Sequence, residues 1–145
     1  MNLPPSRRSD VSAALATVPV DGALRLQCCA HCATVQYPPR ERCGHCLADA
    51  LVWQEVSGEA TLLAVSALSH SLEPWFGERL PWAVGSLRLD AGPVVFAHLA
   101  ASGAQPGARL RVANANDASG AWCLVAFEGE SPDFTARLEQ LGICT

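Results

Sequence analysis

Four cysteines fall into two pairs of equal spacing, Cys29-Ala-His-Cys32 and Cys43-Gly-His-Cys46, separated by residues 33–42. Each Cys-x-x-Cys turn offers two soft thiolates from a tight loop. Two such knuckles complete a tetrahedral shell, and that donor set selects zinc or a single iron. A shell of four protein ligands leaves no position for water or substrate, so the implied chemistry is structural. Other donors stand close by. Cys28 adjoins Cys29, while His31 and His45 sit inside the knuckles. Four cysteines already suffice, so both histidines are expected to point outward. Free reduced thiols without metal are the plain alternative. Cys123 and Cys144 have no histidine neighbour in sequence and read as a core residue and a tail residue.

The rest of the chain must supply elements that hold these knuckles. It has 145 residues, half of them hydrophobic and 17% charged, enough for a packed core. Lysine is absent, all ten basic residues are arginine, and the formal net charge is −4. That balance disfavours a nucleic-acid partner, which calls for a basic patch or stripe. No apolar run is long enough to span a bilayer. Val11–Val20 follows Arg7 and Arg8 but is broken by Ser12, Thr17 and Pro19, so no signal-peptide core forms. A soluble, cytoplasmic protein with no membrane partner is expected. Seven cysteines, five of them within Cys28–Cys46, suit a reducing compartment rather than a disulfide framework.

The expected fold is mainly β. Residues 1–22 read as a tail with a short helix over Val11–Val18, capped by Asp10 and stopped by Pro19. Residues 23–50 form the zinc ribbon, entered by a strand over Ala23–Gln27. Residues 51–130 form a small five-stranded barrel, with a short strand candidate at Leu51–Val56 and further strands predicted at Glu59–Ser69, Trp82–Leu89, Val94–Ala100, Arg109–Ala113 and Ala121–Glu128. His70–Pro81 and Asn114–Gly120 are predicted loops. Residues 131–145 carry a C-terminal helix: Ser131 caps it, Pro132 opens it, Phe134, Leu138 and Leu141 share one face, and Gly142 ends it.

The run Leu24-Arg-Leu-Gln-Cys-Cys-Ala-His-Cys32, then Tyr37-Pro38-Pro39-Arg40 and Cys43-Gly-His-Cys46, resembles the acyl-CoA-associated OB-fold family with an N-terminal rubredoxin-like zinc ribbon. Downstream, Ser57-Gly58-Glu59-Ala60, Pro81-Trp82-Ala83-Val84-Gly85, Leu89-Asp90-Ala91-Gly92 and Pro106-Gly107-Ala108-Arg109-Leu110 continue the likeness, which spans roughly Ala23 to Phe127. The chain departs from the family pattern in places. Ala33 stands where a glycine usually follows the first knuckle, and Ala60 replaces the second glycine of the barrel opening. Glu128–Pro132 and the capped helix replace the usual chain end. The resemblance implies an OB barrel and a non-catalytic subunit. Such a subunit works in a hetero-oligomer beside a thiolase-fold enzyme (thiolase, acyltransferase or steroid side-chain aldolase) or a hydratase, and helps to hold an acyl-CoA ester.

Three functions compete. As an accessory subunit in lipid or steroid metabolism, the chain would present the loop His70–Leu80. There Trp75 and Phe76 are large adjacent apolar groups suited to an interface, or else they cover the open end of the barrel. Arg40 and Arg79 carry forked donors that suit CoA phosphates, the ordinary alternative being solvated or salt-bridged arginines. A single-stranded nucleic-acid module is the second reading, since zinc ribbons and OB folds both serve that purpose. The third is a hydrolase or transferase with His70 or His98 as base. His98 lies in an apolar strand, where a hydrogen-bonded core histidine is the plainer assignment. No catalytic residue is assigned.

Overall fold

In a computed structural model, the structure describes residue 10 and residues 18–101 and 103–129. Eight strands follow in chain order: β1 (Leu24–Cys29), β2 (Val35–Gln36), β3 (Leu51–Val56), β4 (Glu59–Leu68), β5 (Trp82–Leu89), β6 (Val94–Leu99), β7 (Arg109–Asn116) and β8 (Trp122–Phe127). A one-turn helix, α1 (Pro74–Gly77), interrupts the loop between β4 and β5. Residues 11–17 of the predicted N-terminal helix, the predicted C-terminal helix and Cys144 lie outside the described residues.

The strands make two sheets. One is three-stranded in the order β2-β1-β3, and the other is a closed barrel in the order β4-β5-β6-β8-β7. Its neighbours are antiparallel except β6 and β8, which run parallel where His98 meets Val125 and Leu99 meets Ala126. Five strands closed in this order make the OB fold. β3 falls in the stretch the sequence division assigns to the barrel. Its hydrogen bonds nevertheless run to β1, with Leu24 opposite Val56 and Cys29 opposite Leu51. By pairing, the ribbon sheet reaches Val56 and the barrel starts at Glu59.

The barrel closes where β4 meets β7, over Glu59–Thr61 against Arg109–Arg111. This seam is laced by charge. Arg109 forks onto Asp90 at 2.9 and 2.7 Å and also donates to Thr61 Oγ1, while Arg111 donates to Glu59 at 2.8 Å. Gly58 leads into the seam. A Cβ there would lie 2.4 Å from the Val112 carbonyl, so only glycine fits. The second opening position needs no such room, and Ala60 fills it as a fully buried core residue.

Ribbon and barrel share one core. Leu24 and Leu26 of β1 pack in the same cluster as Leu62, Leu87, Leu89, Val95, Leu110 and Val112. The alternation Leu24, Leu26 against Arg25 turns this apolar edge of the ribbon toward the barrel. Asn114 completes the joint. The sequence places it in a polar loop, but β7 continues to Asn116 and Asn114 is fully buried. Its Oδ1 accepts from the Arg25 amide, and its Nδ2 donates to the Arg25 carbonyl at 3.2 Å. A side-chain amide thus does for β1 what a neighbouring strand would do. The polar residue is kept inside because both of its groups are satisfied.

Replacing Asn114 by Leu leaves the Arg25 amide and carbonyl buried without partners. The expected loss is about 1–3 kcal/mol per group left unsatisfied. Urea denaturation of the zinc-loaded variant measures it; a change below about 0.5 kcal/mol would contradict the bridging role.

Candidate metal centre and its surroundings

The knuckles are built alike. In the first, the Ala33 amide donates to the Cys29 carbonyl at 2.8 Å and the Cys29 amide to Thr34. In the second, the Leu47 amide donates to Cys43 at 3.0 Å and the Cys43 amide to Ala48. Both turns need a left-handed residue immediately after the second cysteine, supplied by Ala33 (φ 62°) and Leu47 (φ 65°). Neither residue is glycine, so each position stores strain.

The four sulfurs converge. Sγ of Cys29, Cys32, Cys43 and Cys46 all lie within 4.8 Å of one another, with Cys29–Cys46 and Cys32–Cys43 both at 3.6 Å. A tetrahedron of zinc–sulfur bonds has edges of about 3.8 Å, so the cage fits that ion. Cys43 and Cys29 are buried while Cys32 and Cys46 are half-buried. Cys28 takes no part. It neighbours Cys29 on a strand, so its side chain turns to the opposite face, where Sγ contacts the Leu26 carbonyl at 3.9 Å and burial pushes the thiol pKa up. His31 and His45 are exposed.

Backbone and hydroxyl donors prepare the cage for thiolates. The Thr34 hydroxyl, 3.2 Å from Cys32 Sγ, together with the Thr34 amide brings that thiol down to about 5. The amides of Cys46 and His45 lower Cys43. For Cys46 the Ala48 amide also favours the thiolate, but desolvation and the three adjacent sulfurs outweigh it and push the group to about 12. Four such groups cannot all be anionic without a cation among them. Zinc supplies that charge and displaces the remaining protons.

A buried amide network holds the knuckles at this distance. Gln27 Oε1 accepts from the Arg40 amide at 2.8 Å and from Gln36 Nε2 at 3.2 Å, while its Nε2 donates to the Arg40 carbonyl. Gln36 Oε1 accepts from the Gly44 amide at 2.9 Å. The loop before the second knuckle is thereby tied to β1 and β2. Sequence reading missed both glutamines, because nothing in their spacing separates a buried amide from a surface one.

The proposed contact residues do not form one site. Trp75 is only 4% exposed. Its ring meets Phe76 at 4.9 Å and Trp82 at 5.6 Å edge-on. Arg79 lies 4.2 Å over the same ring and donates to the Trp75 carbonyl at 2.7 Å. Trp82 Nε1 donates to His98 Nδ1 at 2.9 Å, and Phe76 stacks on that imidazole. This cluster lies against β5 and β6 and folds the β4–β5 loop onto them. Arg40 lies elsewhere, exposed beside a recess shared with Thr34, Tyr37, His45 and Pro93. His70 is exposed.

A cleft of about 460 Å³ opens where ribbon meets barrel, lined by Tyr37, Pro38, Val84, Phe96, His98 and Trp122. Phe96 is 69% exposed, and Tyr37 sits 6.0 Å from Trp122. Phe96 escaped notice because β6, Val-Val-Phe-Ala-His-Leu, is apolar at most positions and does not announce which ones face outward. A second cavity of similar size between β1, β3 and β7 is lined by Asp21, Glu55, Arg111 and Phe127 among others. Its charges are already paired. Arg25 forks onto Asp21 at 2.9 Å, holding that carboxyl near 2, and Arg111 pairs with Glu59.

Residues 17–52 match the family described as "ChsH2, rubredoxin-like zinc ribbon domain", and residues 53–115 match "ChsH2, C-terminal OB-fold domain". The chain belongs to the ChsH2 family. Between them the two domains cover more than half its length. Its zinc is therefore the structural ion of a ribbon held by Cys29, Cys32, Cys43 and Cys46. A solved structure titled "Ltp2-ChsH2(DUF35) aldolase" superposes with a TM-score of 0.60 at 21% identity, covering 72% of this chain and 84% of that one. No curated protein matches the sequence. Among the described residues no helix is long and apolar enough to cross a membrane.

Ala33→Gly relieves the left-handed strain at the first knuckle without touching a ligand. It should stabilise the zinc-loaded protein by up to about 1 kcal/mol, raising Tm by roughly 2–4 °C. Calorimetry with zinc content held at one per chain checks this, and an unchanged or lower Tm would contradict it.

Proposed function

We propose that this chain is a non-catalytic accessory subunit of an acyl-CoA-processing complex. It docks on a thiolase-fold enzyme, such as a thiolase, acyltransferase or steroid side-chain aldolase, and helps to hold the CoA ester in the cytoplasmic metabolism of lipids or steroids. The observation that carries this reading is the aromatic cleft at the ribbon–barrel joint. It has the size and apolar lining of a small-molecule site, and Phe96 stands open in it. Arg40 lies in the recess that shares Tyr37 with the cleft. The acyl portion would lie against Phe96 and Trp122, with a CoA phosphate meeting Arg40 through its forked donors. Arg79 contributes instead by fixing Trp75, which serves as a packing anchor rather than an open contact; half-buried Phe76 borders the partner surface.

Family membership supports the accessory role, and the related solved structure is titled as an aldolase of two named components. A positive groove for nucleic acid finds little support. Of the described arginines, Arg25, Arg79, Arg109 and Arg111 are all engaged with acidic side chains.

Co-expression with a thiolase-fold enzyme of acyl-CoA metabolism should give a complex that co-elutes on size-exclusion chromatography and binds an acyl-CoA more tightly than the enzyme alone. Phe96→Ser should weaken that binding about tenfold, matching the burial of one aromatic ring, while complex formation and zinc content hold. Failure to co-elute would overturn the accessory role, and unchanged ligand affinity in Phe96→Ser would overturn the assignment of the cleft.

A further inference from the structure

The cleft at the ribbon–barrel joint contains a donor left without an acceptor. Trp122 opens β8 and lines the cleft with Phe96 and His98. Its ring is half-buried and sits 6.0 Å from Tyr37, tilted by 36°. The indole nitrogen itself is out of contact with solvent, and among the described residues it has no hydrogen-bond partner. An indole N–H can only donate. A buried donor without an acceptor has lost its hydration and gained nothing in exchange, and folded proteins keep few such groups.

Trp82 shows the ordinary outcome close by. Its N–H donates to His98 Nδ1 at 2.9 Å. The neutral imidazole then carries its proton on Nε2 and has no acceptor left to offer Trp122. The cleft lining holds no Asp, Glu, Lys or Arg. It therefore has no carboxylate to accept the indole proton and no cation to draw in a charged group. A neutral oxygen brought by a ligand is the acceptor this wall lacks.

We propose that Trp122 is the specificity-determining donor of the cleft: as a CoA ester enters, the indole turns and its N–H meets a carbonyl oxygen of the ligand. The inference rests on the reading of the cleft as the acyl-CoA site and adds the group that reads the ligand's polarity. Apolar walls hold any chain of suitable size, whereas a placed donor selects one with a carbonyl at that depth. Turning the ring exchanges a covered, unpaired N–H for a paired one, so the deficit of the free state favours the bound state. A CoA ester offers this acceptor chemistry from the thioester and from the amides of its pantetheine arm.

Binding to the co-expressed complex tests the proposal, with an acyl-CoA and its thioether analogue, in which a methylene replaces the thioester carbonyl. Trp122→Phe keeps an aromatic ring and removes the N–H. It should weaken acyl-CoA binding about fivefold to tenfold, the worth of one hydrogen bond, while zinc content and complex formation hold. Weakening confined to the acyl-CoA assigns the thioester carbonyl; equal weakening of both ligands assigns a pantetheine amide. The indole N–H resonance of Trp122, read in a complex whose tryptophans are isotope-labelled in this chain only, separates a hydrogen bond from lost packing. Acyl-CoA should move it downfield, toward the Trp82 signal. A Trp122→Phe complex that binds acyl-CoA like wild type, or a resonance that stays in place while acyl-CoA binds, would overturn the proposal. If Phe96→Ser still weakens binding in that case, the cleft assignment stands and only the donor falls. A wild-type complex with no affinity gain for acyl-CoA would overturn both.

Discussion

Four thiolates confined within a few ångströms cannot coexist without a cation, and the N-terminal part of this fold depends on that constraint. Hydrogen bonds from Thr34 pull the Cys32 thiol down, while burial and the adjacent sulfurs push Cys46 up against the Ala48 amide. With zinc all four become equivalent ligands, and the two knuckles lock at one separation. Because the shell is closed, the ion has no free position to offer a substrate. Its contribution is mechanical. It fixes the turns around residues 29–34 and 43–48, and through them the strands β1 and β2.

That rigidity reaches the barrel by two routes. Leu24 and Leu26 belong to the barrel core, so β1 is a shared wall of both units. Asn114 binds both backbone groups of Arg25, and its amide is the polar counterpart of that apolar contact. The cleft at the joint takes Tyr37 and Pro38 from the ribbon and Phe96, His98 and Trp122 from the barrel. A shift between the two units would open or close it. The metal therefore helps to shape the surface on which the proposed function rests, without offering it a coordination position.

The parts of this design that were legible in the sequence are the local ones. Cysteine spacing carries its own geometry, so the cage could be named from two tetrapeptides. The barrel strands were readable because Leu, Val and Ala runs are punctuated by turns such as Asp90–Pro93 and Pro106-Gly107. What stayed hidden depends on partners far apart in the chain. Asn114 looks like a loop residue until Arg25, 89 positions earlier, is placed beside it. Leu51–Val56 reads as a strand, but nothing in it says that it pairs backward with β1. Trp75 and Phe76 satisfied the composition of an interface equally well as that of a packed cap. Only burial separated them, enclosing Trp75 and leaving Phe96, which drew no notice in the sequence, exposed.

X-ray absorption at the zinc edge of the purified protein tests the central claim most directly. A closed shell formed by Cys29, Cys32, Cys43 and Cys46 predicts four sulfur neighbours at about 2.3 Å and no nitrogen or oxygen ligand. A shell containing a histidine nitrogen or a water oxygen would contradict it, since the ion would then have an exchangeable or open position and the purely structural role would fail.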